Sequence, residues 1–109
     1  MAQNVANLVE KNSIDIVEMV GLLDYFKDEK SVETFSKIYD ILKEGGLFMV
    51  GNIVPNKEQS FISRLGWPKM YYRSAENLAR LLISSGFSEE KGKIIFEPLK
   101  NHIVALIRK

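Results

Sequence analysis

Ile14-Asp15-Ile16-Val17-Glu18-Met19-Val20-Gly21-Leu22-Leu23-Asp24-Tyr25-Phe26 is the stretch whose reading decides the fold. Its first seven residues are rich in β-branched side chains, and apolar residues fall at both odd and even positions, as a strand covered on both faces requires. Such strands belong to parallel sheets, in which neighbours are joined by a crossover, usually a helix. The sequence supplies one directly. Asp28 is placed to cap it, Glu29 suits the positive end of the helix dipole, and Val32, Phe35, Ile38, Tyr39 and Leu42 recur at helical spacing. Gly45-Gly46 is expected to end that helix. Leu47 to Asn52 then reads as a second buried strand, stopped by Val54-Pro55-Asn56. This strand–helix–strand unit crosses over right-handed, as parallel units almost always do.

Outward from this unit the pattern continues. Val5, Leu8 and Val9 share one side of a short amino-terminal helix, Ala2 to Glu10, broken by Asn12-Ser13. Lys57 to Arg73 is mixed, with Gly66-Trp67-Pro68 interrupting any helix, and reads as an insertion over one end of the sheet. Ser74 is a good N-cap for an apolar stripe of Leu78, Leu81 and Leu82, and Gly86-Phe87 fits a left-handed stop with its hydrophobic contact. Lys93 to Phe96 and Ile103 to Ile107 are strands whose connection is short enough for an antiparallel hairpin. The fold class is α/β, with parallel strands followed by a terminal antiparallel hairpin.

The 109 residues suit one domain, and 46% apolar against 27% charged residues is a globular balance. A net charge of +1 gives no reason to expect nucleic acid. With no cysteine, thiolate chemistry and Cys-ligated zinc are excluded, and a reducing cytoplasm is compatible. No apolar run spans a bilayer and Met1 to Glu10 lacks the order of a secretion signal, so a cytoplasmic protein without membrane contact is expected.

Architecture alone leaves function open. Local sequence narrows it. Asp15 to Phe26 resembles the fourth-strand motif of class I S-adenosylmethionine-dependent methyltransferases, an Asp-x-Val core leading into a Leu-His-His-Leu-like turn whose two His positions carry Asp24 and Tyr25 here. Leu42-Lys43-Glu44-Gly45-Gly46-Leu47-Phe48-Met49-Val50 is similar to that family's Leu-Lys-Pro-Gly-Gly signature, with Glu44 in place of the proline. Tyr72-Arg73-Ser74, the leucine-rich helix, Ser85-Gly86-Phe87 and the hairpin resemble the rest of its carboxyl-terminal half. The resemblance runs from about Ile14 to Lys109 and implies a Rossmann-like half-domain whose last strand lies between the fifth and sixth. It also implies S-adenosylmethionine as cofactor. The family's Gly-x-Gly-x-Gly loop and ribose-binding acid are not found, so the chain is expected to be a partial domain, binding cofactor weakly or not at all and inactive alone.

Ligands of open α/β sheets bind at the carboxyl ends of the strands. By resemblance Met19, Val20 and Gly21 would line the cofactor's methionine side, although Met19 and Val20 also suit a core and Gly21 a turn. Asp24 and Tyr25 are the catalytic candidates, an acid and a phenol that could orient or deprotonate a nucleophile. Their bland reading is a turn acid and a packing ring. Asn52, Trp67, Tyr72 and Arg73 are candidates for acceptor binding, against a turn amide and a local aromatic cluster. His102 reads as structural, and no spacing supports a metal site. Without an Asn-Pro-Pro-Tyr or Asp-Pro-Pro-Tyr tetrapeptide, a small-molecule acceptor is expected over a nucleobase. The alternative function is a non-catalytic interaction module derived from the same fold. A homodimer or larger assembly through the edge of Ile14 to Val20 is expected, since two copies paired antiparallel about a two-fold axis would satisfy both edges.

Overall fold

The computed structural model describes residues 11–54, 70–96 and 102–109. The expected amino-terminal helix, Trp67 and most of the insertion lie outside the described residues. The elements run β1 (Ile14–Met19), a 3-10 turn (Leu23–Tyr25), α1 (Asp28–Ile41), β2 (Leu42–Ile53), α2 (Ala75–Ser84), a second 3-10 turn (Glu89–Lys91), β3 (Gly92–Phe96) and β4 (His102–Arg108). They form a four-stranded sheet of order β1-β2-β4-β3. β1 and β2 are parallel, in register Val17↔Phe48 and Met19↔Val50, and β4 pairs antiparallel with both β2 and β3. The last strand thus enters between the two that precede it, as the resemblance implied.

One buried cluster joins the sheet to both helices. Met19, Phe48, Val50, Ile103, Ala105 and Ile107 face Phe35 and Ile38 of α1 and Leu78, Leu81 and Leu82 of α2. At its centre Phe48 meets the edge of Phe35 at 5.3 Å and stacks on Phe87 at 5.8 Å, geometries that ring quadrupoles favour. The opposite face is different. Ile16 and Val20 are 63% and 57% exposed, so the expectation of a β1 covered on both faces is corrected: the described helices all pack on one side.

Two helix ends differ in how well the sequence announced them. Ser74 caps α2 as expected, its hydroxyl accepting the Asn77 N–H at 3.2 Å. At the other end Gly86 N–H donates to Ile83 O and Phe87 N–H to Leu82 O, with Gly86 at φ 114°, the paired bonds of a Schellman stop. α1 departs from expectation at both ends. Lys27 occupies the N-cap and Asp28 is the first helical residue, making no cap bond because its carboxylate is drawn to Arg73. Gly45-Gly46 does not end α1, which stops at Ile41. The glycines lie within β2, where register jumps from Ile14↔Leu42 to Ile16↔Leu47 and the extra residues bulge out. Gly45 has φ 81°, and a Cβ on Gly46 would sit 2.8 Å from the Lys43 carbonyl oxygen, so close backbone approach requires glycine there. The chain end fastens the bulge: Gly45 N–H donates to Lys109 O, and Lys109 N–H to Gly46 O.

Candidate functional site

The carboxyl ends of β1 and β2 lie side by side, and the sequence candidates divide there into a buried group and an exposed one. Met19 is 4% exposed and belongs to the core cluster. Val20, one residue on, turns to the open face. Gly21 has φ 79°, and a Cβ built on it would find no atom within 4 Å. A side chain would be strained there, and the backbone is open to approach.

Asp24 is 7% exposed. Its carboxylate accepts the Ile53 N–H at 2.5 Å, while its carbonyl accepts the Tyr71 N–H at 2.6 Å. Asn52 is fully buried, donating from Nδ2 to the carbonyls of Ile53 and Tyr71 at 2.9 and 3.0 Å and accepting from Arg73 Nη1 at 2.6 Å. Arg73, 3% exposed, is the hub. Its Nε donates to Asp28 Oδ1 at 3.0 Å, Nη1 also donates to Leu23 O at 3.1 Å, and Nη2 donates to Phe26 O and, at 3.3 Å, to Ser31 Oγ. Its backbone N–H donates to Ile53 O at 2.9 Å. A guanidinium has five N–H donors, and the contacts made from its three nitrogens occupy them all.

This network ties four pieces of backbone together: the turn after β1, the first turn of α1, the end of β2 and the segment 70–74 that leads into α2. Burying a cation is costly, and the cost is offset here by four neutral oxygens in addition to one carboxylate. That carboxylate, Asp28, is 73% exposed on its side chain, so the charge pair opens to water on one side.

The structure therefore brings Asp24, Asn52 and Arg73 into one network, in which Asn52 and Arg73 bond directly and Asp24 is joined to them through the backbone of Ile53 and Tyr71. It leaves Tyr25, 42% exposed, on the rim of the turn. Tyr72 is half-buried and borders a polar depression of about 340 Å³ with Asp28, Met70, Tyr71, Arg73 and Asn77. Trp67 lies outside the described residues. Sequence reasoning missed Ser31, whose hydroxyl is fully buried between Lys27 O and Arg73. A signal existed: Ser31 and Thr34 stand with Phe35, Ile38 and Ile41 on the buried face of α1, and small polar residues in an apolar stripe ask for a polar partner. Among the described residues, no group of three or more His, Cys, Asp or Glu could hold a metal, and no helix is long and apolar enough to cross a membrane.

No protein-family model and no curated protein sequence matches the chain. Solved structures do. A SAM-dependent methyltransferase from Archaeoglobus fulgidus superposes with TM-score 0.77 at 16% identity, over 100% of this chain and 65% of that one. Human N-acetylserotonin methyltransferase in complex with SAM gives 0.69 at 19% identity, over 87% and 29%. A possible exported protein from Bordetella parapertussis gives 0.81 at 15% identity, over 95% and 41%. The fold is that of the class I SAM-dependent methyltransferases, and partial coverage of those chains is consistent with the carboxyl-terminal half that the resemblance implied. The chain spans between 29% and 65% of the length of these three structures.

Proposed function

We propose that the chain supplies the acceptor side of a SAM-dependent methyltransferase acting on a small molecule in the cytoplasm, and that it is inactive by itself. The observation that carries this reading is the fate of the polar side chains at the strand ends. Asp24, Asn52 and Arg73 spend themselves on holding segment 70–74 against β1 and β2, and the surface so formed offers Tyr25, Tyr72 and the depression beside Asp28. In this reading Asp24, Asn52 and Arg73 are positioning residues. Tyr25 and Tyr72 meet the acceptor, orienting it through ring contact and a phenolic hydrogen bond.

Val20 and Gly21 fit one wall of a cofactor site, an exposed apolar side chain followed by an unobstructed backbone. Met19 does not fit, because its side chain is in the core. S-adenosylmethionine, when bound, supplies an electrophilic methyl group. No residue of this chain is assigned to its adenosine or its carboxylate, since the sequence holds no Gly-x-Gly-x-Gly loop. Titration calorimetry of the 109-residue chain with S-adenosylhomocysteine is expected to show no saturable binding at micromolar concentrations. A micromolar Kd with unit stoichiometry would overturn the claim that this half is insufficient.

Among the described residues β1 has a strand neighbour on one side only, which favours a second reading, a non-catalytic interaction module. The genomic reading frame upstream of Met1 separates the two. A strand followed by Gly-x-Gly-x-Gly supports the enzyme half, and a stop codon supports the module.

A further inference from the structure

Among the described residues β3 is the outer strand at the end of the sheet away from β1, with β4 as its one strand neighbour. A further half of the domain that completes the sheet beside β1 leaves this end as it is. β3 is Gly92-Lys93-Ile94-Ile95-Phe96, and its last three residues are large and apolar. Ile95 and Phe96 are 46% and 53% exposed. Outer strands are ordinarily guarded against further pairing by charges, proline or a bulge, and β3 carries a single charge, Lys93.

Register fixes where these side chains stand. Gly92, Ile94 and Phe96 pair with Ile107, Ala105 and Ile103, all three of which belong to the buried cluster beneath the helices, and directly opposed residues share a face. Phe96 therefore stands on the helix side of the sheet, and Lys93 and Ile95 on the other. On the helix side a groove of about 260 Å³ lies between α2 and β3, lined in part by Ala79, Leu82, Ile83, Ile94 and Ile107. Phe96 does not line it, and Ile83 on its wall is 45% exposed. A cavity of about 150 Å³ takes benzene. This end of the sheet thus carries an exposed aromatic ring and, beside it, an apolar groove with room for one.

We propose that two copies of this chain pair through β3, antiparallel about a two-fold axis perpendicular to the sheet, each seating the partner's Phe96 in its own groove. With the axis at Ile95, Ile95 faces the partner's Ile95, and Ile94 faces the partner's Phe96 on the helix side, which sets each ring beside a wall of the other copy's groove. The same axis keeps the two Lys93 side chains four positions apart, about 14 Å along the strands, beyond the screening length of about 8 Å at physiological salt. Moving the axis to Ile94 brings the lysines to about 7 Å and sets the partner's Phe96 against Gly92 instead. The contact uses the same patch on both copies, so it closes at two. An aromatic anchor in a pocket supplies most of the energy in such interfaces. One strand pair and two rings fall in the size range of weak association, below about 1,200 Å² in total.

Sedimentation equilibrium of the 109-residue chain tests this. The expected weight-average mass rises with concentration from the 12.5 kDa chain mass and levels at twice that value. It should not fall in about 0.5 M salt, because the contact is apolar and the lysines then repel less. Phe96→Ala on the ring and Ile83→Glu on the groove should each weaken dimerisation at least about tenfold, whereas Glu18→Lys on β1 should leave it unchanged. Circular dichroism checks that the variants fold. If either does not, Ile95→Lys, on the face away from the core, carries the same comparison by setting two lysines at the axis. A monomer at every concentration up to about 1 mM overturns the proposal. So does a dimer that Phe96→Ala and Ile83→Glu leave unchanged, a dimer lost in salt, or a mass that climbs past two copies without levelling.

Discussion

Replacing Arg73 by lysine keeps the charge and most of the apolar stem, and removes the planar array of donors. Lysine offers three donors from a single atom. At the end of its chain it can reach the Asp28 carboxylate and one neighbouring oxygen, so three of Leu23 O, Phe26 O, Asn52 Oδ1 and Ser31 Oγ lose the Arg73 bond; Leu23 O keeps the Phe26 N–H and Ser31 Oγ its bond to Lys27 O, so the loss falls on Phe26 O and Asn52 Oδ1. A buried polar group left unsatisfied costs about 1–3 kcal/mol, and relaxation makes such losses less than additive, so a total of about 3 kcal/mol is expected. Asp28→Asn removes the formal ion pair instead, yet that carboxylate side chain is 73% exposed. Its loss should cost about 1 kcal/mol or less, since a solvated partner contributes little. The ordering is the test. Urea unfolding followed by circular dichroism, at a concentration where the chain is monomeric, should place Arg73→Lys well below Asp28→Asn in midpoint. If Arg73→Lys lies within 1 kcal/mol of the parent, or Asp28→Asn costs as much, the donors are not holding the strand ends and Arg73 is available for a ligand.

Two further outcomes test the local geometry. Ser74→Ala removes the α2 cap and should cost about 1 kcal/mol in urea unfolding, with Ser74→Gly closer to the parent. Gly46→Ala should cost at least about 2 kcal/mol, because its methyl would meet the Lys43 carbonyl at 2.8 Å in a bulge fastened by Lys109; a neutral effect in thermal denaturation would show that the bulge moves freely.

Elements whose signal is local were legible in the sequence. The α2 cap and stop lie within five residues of the atoms they bond, so Ser74 and Gly86-Phe87 could be read directly. β1 was legible from its β-branched composition, β2 from an apolar run stopped at Val54-Pro55-Asn56, and their parallel pairing from the helix between them. The glycine pair was misplaced for a physical reason: a left-handed glycine serves a helix stop and a strand bulge equally well. What decides between them is whether Leu42 pairs with Ile14 before the glycines arrive, a contact 28 positions away in the chain.

The candidate site shows the same limit more sharply. Residue type marked Asp24, Asn52 and Arg73 as polar groups at strand ends, which is equally the composition of a ligand site and of an internal clamp. Direction separates the two, and direction is set by partners that are remote in sequence. Arg73 reaches oxygens 21, 47 and 50 residues before it. Each is a backbone carbonyl or an amide that no composition signal distinguishes from others of its kind. A buried arginine satisfied mainly by carbonyls can be found only once the fold has brought those carbonyls to one point. Its donors are then consumed in holding the point together, and the function proposed above accordingly gives recognition of an acceptor to the neighbours it fixes in place, Tyr72 on its own segment and Tyr25 on the turn whose carbonyls it holds.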